Sequence, residues 1–378
     1  TMTTRTLDMA NVIASDVTIA GDKTLSGDIT FSGDVVPSTP LSHRNKIING
    51  NFDIWQRGTT FNASASTYHY SADRWTYYNY QQGSTTTVTQ QAFTIGQTDV
   101  PGEPKYYLRH TLGSSNQEWL FQQRIEDVRT FAGQTATLSL WMKSSSAQTV
   151  RLRLHQNFGS GGSSIVYSST TDCSVTTSWT KFTATITPAS VSGKTIGTSS
   201  YLSADIGSLG ATAVASSSVD IAQVQLELGD NATPFEHRSY AEELARSQRY
   251  FQAHPLNGQV CFPYDGSRFY VNIQPFVPMR SRSALTVSKT HTVSRMTTLD
   301  VLDYWVHGSG DYANGDHWND ISVNGHSNME TNFVITLRVI SSNGGLTDQE
   351  PVIVTGVNNT ARNGFTNNDG FIHFSSEF

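Results

Sequence analysis

The chain is 378 residues long, enough for two or three domains with cores of their own. Only 15% of its residues are charged, 11% are aromatic and 29 are glycine, a profile of turn-rich β-sandwiches rather than helical bundles. The net charge of −6, with no basic stripe, excludes nucleic acid as the expected partner. No apolar run reaches bilayer-spanning length, and no charged start followed by an apolar core marks a leader, so no membrane insertion is expected. Cys173 and Cys261 fall in different predicted domains, which favours free buried thiols over a disulfide.

Residues 1–44 do not read as a globular domain. Gly21-Asp22, Gly27-Asp28 and Gly33-Asp34 recur with a six-residue period, and Ile19, Leu25 and Phe31 keep the same spacing. One copy of so short a unit cannot bury its apolar residue. Three chains side by side can direct those residues to a common axis, forming a short intertwined β-stalk that attaches the protein to a larger particle. The other reading is a flexible tail whose repeats are accidental. Pro37 and Pro40 end the segment.

Residues 45–236 read as one antiparallel β-sandwich. Strands are predicted over residues 46–48, 86–91, 105–110, 135–142, 150–154, 179–187 and 219–228, bounded by Gly, Asn, Ser and Pro clusters. Val150, Leu152 and Leu154 alternate with Arg151 and Arg153, apolar in and arginine out. Trp141 falls out of phase with Leu138, Leu140 and Met142, and so belongs to the opposite face. In the last strand Ala222 and Gln223 break an otherwise alternating pattern, and Gly229-Asp230-Asn231 makes a turn.

Residues 237–252 read as a linking helix. Ser239 with Glu242 forms a capping-box pattern, Glu242 and Arg246 an i,i+4 pair, and His254-Pro255 a stop. Tyr240, Leu244 and Phe251 share one face. That face packs either about a threefold axis or against its own chain's sandwich. Residues 253–378 read as a second β-rich domain, with strands over 268–276, 332–341, 351–356 and 370–374.

The run QLELGDNATPFEHRSYAEELARSQRYF (residues 225–251) resembles a junction of bacteriophage tail and fibre-like proteins, in which a jelly roll like that of carbohydrate-binding modules passes into a second domain. The resemblance extends, in order, to NKIINGNFDIWQRG (45–58), YSADRW (70–75), QQRIEDVRTFAG (122–133) and LSLWMK (138–143). Trp179 and Phe182 resemble the S-W-x-x-F strand of carbohydrate-binding jelly rolls, and Pro278-Met279-Arg280 a P-M-R segment downstream of the same joint. It implies an all-β fold and a virion setting, with assembly in the host cytoplasm, and leaves the ligand open. Such jelly rolls often hold a structural calcium through an acidic pair on the last strand. Here the matching stretch from Asp220 to Gln223 lacks that pair.

Sugar sites need flat aromatic faces for the C–H side of a pyranose and planar acceptors and donors for hydroxyl pairs. In the distal domain Tyr304, Trp305, Tyr312 and Trp318 offer the first, and Asp311, Asp316 and Asn319 the second. The competing reading puts Tyr304 and Trp305 on a core or interface strand and uses the Asp and Asn residues as turn formers. In the first domain Trp55 and Trp75 read as core, and Tyr77, Tyr78 and Tyr80 as surface candidates, while Tyr68 and Tyr70 belong to the same aromatic set. Asp73-Arg74 reads as a structural ion pair or a brace for loop backbone. His307, Asp311, Asp316 and His317 match no established metal spacing, so neither metal nor cofactor is expected. No G-x-S-x-G elbow or phosphate-binding glycine fingerprint is present. A carboxylate pair such as Asp311 with Asp316, or Glu126 with Asp127, is what a glycosidase would require.

The expected protein is a non-enzymatic homotrimer of a tailed-phage virion. Its partners are another virion protein through the N-terminal segment and a host surface glycan through weak contacts multiplied by avidity. A capsid decoration protein is the alternative, and a polysaccharide depolymerase the third. Light scattering at micromolar concentration should return three times the chain mass; a monomer would refute the trimer.

Overall fold

In the computed structural model, residues 43–63, 68–79, 86–113, 118–210, 216–255, 276–278 and 280 are described, together with the more C-terminal strands named below. The first domain runs through β1 (Thr60–Ala63), β2 (His69–Tyr70), β3 (Thr76–Asn79), β4 (Thr86–Ala92), β5 (Tyr106–Leu112), β6 (Trp119–Glu126) and β7 (Ala136–Ser144). It continues through β8 (Gln148–Asn157), β9 (Val166–Tyr167), β10 (Thr171–Val175), β11 (Thr180–Ile186), β12 (Tyr201–Gly207) and β13 (Ser217–Leu228). One sheet has the order β1-β4-β5-β13-β7-β11; the other has β10-β8-β12-β6-β3-β2, with β9 added against β8. All these pairs are antiparallel, as in a β-sandwich of the jelly-roll kind.

Period-two alternation explains the sandwich. Leu138, Leu140 and Met142 of β7 are fully buried, as are Val150, Leu152 and Leu154 of β8, while Arg151, Arg153 and Trp141 face the other way at half burial. Trp75, Tyr77, Trp119 and Phe121 fill one end of the core. Tyr77, expected at the surface, is only 1% exposed, because its partner Phe121 on β6 points inward and register forces Tyr77 to follow.

The phase break in the last strand is a β-bulge. The register slips between Ala222 and Gln225, and Gln223 takes a φ of 49°. The bulge frees Val224 N–H to donate to Gly50 O at 2.9 Å. Gly50 approaches so closely that a Cβ there would lie 2.1 Å from Val224 O. Residues 46–48, expected as a strand, are instead irregular backbone. Lys46 N–H reaches Leu226 O at 2.8 Å, while Asn45 bonds Val224 O and Leu226 N through its side chain. That segment is a strap across the bulge rather than a ladder strand.

The helix α1 (Tyr240–Gln248) begins where expected: Ser239 Oγ accepts from Glu242 N–H at 3.2 Å, and Arg246 bonds Glu242 at 2.9 Å. It ends sooner than predicted. Phe251 starts β14 (Phe251–Pro255), because Tyr250 is held by Glu126 and Phe251 lies under the Arg57 guanidinium, 3.5 Å from its ring centroid. Beyond it come β15 (Gln259–Asp265), β16 (Arg268–Ile273), β17 (Thr286–Thr290), β18 (Asp303–Val306) and β19 (Trp318–Val323). The last are β20 (Phe333–Val339), β21 (Val352–Thr355) and β22 (Phe371–Ser375). They form a three-stranded sheet, β14-β22-β17, and a six-stranded sheet, β18-β21-β15-β16-β20-β19.

His110 sits in the sandwich core against Trp119 and Phe121, and its Nδ1 has no hydrogen-bond partner. Burial pushes its pKa down to about 3. With the folded pKa below the unfolded one, the neutral ring's contribution is fully present above pH 6.5 and is lost as pH falls from there toward 3. His110→Leu should therefore be more stable than the parent at pH 4.5, relative to the comparison at pH 7, by about 2 kcal/mol. Urea unfolding at the two pH values checks this; an unchanged acid dependence would refute it.

Candidate functional site

The outward face of the sheet β10-β8-β12-β6-β3-β2 carries a polar floor ringed by tyrosines. Register sets its rows. Gln122 of β6, Asp205 of β12 and Arg153 of β8 lie abreast; the next row holds Arg124, Ser203, His155 and Tyr167. Glu126, Tyr201 and Asn157 follow. The opposite side chains of these strands, Phe121, Leu202, Ala204, Leu152 and Leu154, make the core. Burying them inside therefore turns the polar set outward.

Asp205 is the centre of the floor and is 0% exposed. Its Oδ2 accepts from Arg153 Nε at 3.0 Å and Nη2 at 2.8 Å, and lies 2.9 Å from His155 Nδ1. Its Oδ1 accepts from Ser203 Oγ at 2.8 Å. Gln122, also buried, turns its amide oxygen to Arg124 Nε and Nη2 at 3.2 and 2.9 Å in the orientation that satisfies both groups. The arrangement is no nucleophile relay: Ser203 donates to the carboxylate rather than to a histidine, and all its oxygens lie beneath the surface.

Aromatic rings stand around this floor. Arg124 is held between Tyr68 and Tyr201, 5.2 and 5.0 Å from their centroids. Tyr68 packs on Tyr78 at 4.6 Å. Tyr167 covers Arg153 at 4.4 Å and His155 at 5.3 Å. Asn157 Nδ2 donates to the Tyr201 hydroxyl at 3.0 Å. Tyr68 and Tyr167 are 45% and 54% exposed, high values for rings of this size. Partial burial still raises the Tyr68 pKa, so it stays a neutral phenol. Fixed rings with open faces, set over a rigid hydrogen-bonded floor, suit flat, hydroxylated ligands.

The face was only half legible beforehand. Tyr68 and Tyr78 stood in the aromatic set, and Tyr80 lies outside the described residues. Arg124, Tyr201, Ser203 and Asp205 were missed as site residues, although Leu202, Ala204 and Ile206 alternate with Tyr201, Ser203 and Asp205 in the chain. Asp73 and Arg74 do brace loops: Asp73 accepts from Gln56 N–H at 3.0 Å, and Arg74 donates to Arg124 O and lies over Tyr250.

The distal residues separate. Tyr304 and Trp305 lie on β18, and Trp318 and Asn319 on β19, the two opposite edges of the six-stranded sheet. Five strand spacings, about 24 Å along the sheet, divide them. Tyr304 and Trp305 therefore do not share one cluster with Trp318 and Asn319. Asp311, Tyr312 and Asp316, with His307 and His317, lie outside the described residues, as do Ile19, Leu25 and Phe31. The helix face divides as well: Tyr240 is 63% exposed and Leu244 half-buried, but Phe251 is 2% exposed and packs on its own chain.

On the other sheet Asp220 is 2% exposed and bonded to Arg109 at 2.7 Å, with Lys143 at 3.8 Å. A bidentate guanidinium thus engages Asp220, the acid of the stretch from Asp220 to Gln223. Among the described residues no three His, Cys, Asp or Glu side chains gather as a metal-binding set. Cys173 is a free, buried thiol, pushed up to about 11 by burial.

No family model matches the chain, and no curated protein matches it. Among solved structures, the chain is similar to one described as "CBM4 structure and function", at 16% identity and a TM-score of 0.28, over 48% of this chain and 98% of that one. It is similar to the family 11 carbohydrate-binding module from Clostridium thermocellum in complex with a β-1,3-1,4-mixed-linked tetrasaccharide, at 11% identity and 0.28, over 47% and 98%. It is also similar to the enzymatically active domain of bacteriophage CBA120 tailspike protein 4, at 12% and 0.28, over 49% of this chain but 21% of that one. At these scores the likenesses carry no argument about what this chain does.

Removing Asp205 would strand Arg153 and His155 beside a cavity. Asp205→Ala should cost about 3 kcal/mol in urea unfolding at pH 7. A loss below about 0.5 kcal/mol would show that the floor is not held by this carboxylate.

Proposed function

We propose that the chain is a glycan-binding adhesin of a tailed-phage virion, attached through its N-terminal segment, trimeric, and bound to host surface sugar through the tyrosine-ringed face of the jelly roll. The observation that carries the reading is the placement of Tyr68, Tyr167 and Tyr201 around a buried, fully bonded floor on a sheet face. The virion setting draws on the ordered motifs of residues 45–251.

The mechanism is stacking plus hydrogen bonding. A pyranose C–H face lies on an exposed ring, and arginine and tyrosine N–H and O–H groups meet the sugar oxygens. Because the rings are pre-set by Arg124 and Arg153, little side-chain entropy is lost on binding. No bond need break. Among the described residues of this face Asp205 is buried and saturated, and Glu126 is engaged by Arg249 and Tyr250. Neither is placed as the paired acid and base that glycoside hydrolysis requires.

Two measurements test the reading. Tyr201→Ala and Tyr167→Ala should each weaken binding of the full chain to host-surface polysaccharide by about 1–2 kcal/mol, roughly tenfold or more in Kd, with unfolding midpoints unchanged. Unaltered binding in both would remove this face from the reading. Gold-labelled antibody on intact particles should mark the tail tip; label over the head would replace adhesion with capsid decoration.

A further inference from the structure

We infer that the glycan recognised on this face carries an N-acetylated sugar, whose acetamido group enters a small cleft beside Tyr167. The inference rests on the glycan reading above and adds one chemical group to the ligand. The cleft has one wall from each sheet. Strands β8 and β9 form the first wall; the segment that follows β11, with Pro188 and Ala189, forms the second. Leu154 and Val166 complete the apolar lining, while Gln156 and Ser168 add an amide and a hydroxyl. Ile165 and Tyr167, on either side of Val166, are among the few large apolar side chains left exposed in the described residues. Apolar surface therefore continues outward from the cleft.

Size and chemistry select the group. The cleft has a volume of about 80 Å³. A dry cavity of about 150 Å³ holds one benzene, so this one takes a substituent of about three heavy atoms rather than a sugar ring. An acetyl group has that size and brings a methyl to the apolar wall. A carboxylate is as large, but no cationic side chain is among the lining residues.

The backbone of β9 supplies the partner for the amide. Ser168 N–H donates to Leu154 O at 2.9 Å, and the register pairs Tyr167 with His155 and Val166 with Gln156. Bonded and non-bonded pairs alternate along an antiparallel ladder, so Tyr167, between Val166 and Ser168, turns its own N–H and C=O away from β8. Among the described strands β9 pairs with β8 alone, which leaves one donor and one acceptor at the sheet edge. An acetamide, with one C=O and one N–H, is their complement. A peptide strand would need a row of such groups, and β9 is two residues long. Gln156 Nε2 donates to Ala189 O at 2.9 Å, so the two walls are braced against each other and the cleft is pre-formed. Tyr167 thus offers a ring to the sugar and a backbone edge to its substituent.

The test presents the full chain to an array of N-acetylated hexosamine oligosaccharides and three analogues of each. The analogues carry, in place of the acetamido group, a hydroxyl, an O-acetyl ester or an N-benzoyl amide. At least one N-acetylated sugar should bind about tenfold or more tightly than its hydroxyl analogue. The ester lacks the N–H and the benzoyl ring exceeds the cleft, so both should lose most of that preference. Ala189→Leu, at an exposed position whose carbonyl keeps its bond to Gln156, should fill the cleft. It should lower the N-acetylated sugar to the level of the hydroxyl analogue, with the latter's affinity and the unfolding midpoint unchanged. N-acetylated and hydroxyl sugars bound alike, or a preference that survives Ala189→Leu, would overturn the acetamido cleft while leaving glycan binding in place. An ester or benzoyl analogue bound as tightly as the acetamide would overturn it as well. Binding to no sugar on the array would remove the glycan reading and the cleft's role together.

Discussion

Everything in the described part of the molecule depends on how the two ends of the sandwich are tied to each other. Arg238, with 4% of its side chain exposed, donates to the carbonyls of Asn45 and Ile47 and to Glu243. Glu236 accepts from the backbone of His43 and Asn45 at 2.6 and 2.7 Å. Burial pushes the Glu236 carboxyl up, but those backbone donors, with Arg238 and Arg44, outweigh it and hold its pKa below the usual range. Glu243 of the helix also takes the Asn49 N–H. The strap that enters the sandwich and the linker that leaves it are therefore one hydrogen-bonded unit, lying over the bulge of the last strand. Buried charges paired this fully are costly to break, which makes the junction a rigid base.

That rigidity reaches the tyrosine face. Glu126, at the end of the strand that carries Gln122 and Arg124, is bonded to Arg249 and Tyr250 just past the helix. Arg74 joins Arg124 O to the Tyr250 ring. On the opposite flank Gln56 links Asp73 to the Phe251 carbonyl, and Arg57 lies over the Phe251 ring. The tyrosine face and the entrance to the distal sheets thus share supports. A side chain locked by packing and by charged hydrogen bonds loses little freedom on meeting a ligand.

The face also shows how a buried polar network sets chemistry. One carboxylate, bonded four times by three side chains, ties two strands together and is itself withdrawn from the surface. The rings of Tyr68 and Tyr167 are left at the surface.

By itself, the amino-acid sequence determined the all-β fold, the alternation of the core strands, the capped helix and the irregularity at Ala222 and Gln223. Each of these is written locally: a period of two, a Ser–Glu cap, a broken phase. What the irregularity was for, a bulge that docks a strap from far away in the chain, only the tertiary structure decided. It also decided the site. Gln122, Arg153 and Asp205 are separated by dozens of residues and meet because antiparallel register places them abreast. Conversely, Trp305 and Trp318, near neighbours in the chain, lie on opposite edges of one sheet. Periodicity along a strand is a property of neighbours in sequence. Register across strands is set by turns, bulges and the burial of the far face, so proximity in sequence and proximity in a site are different quantities.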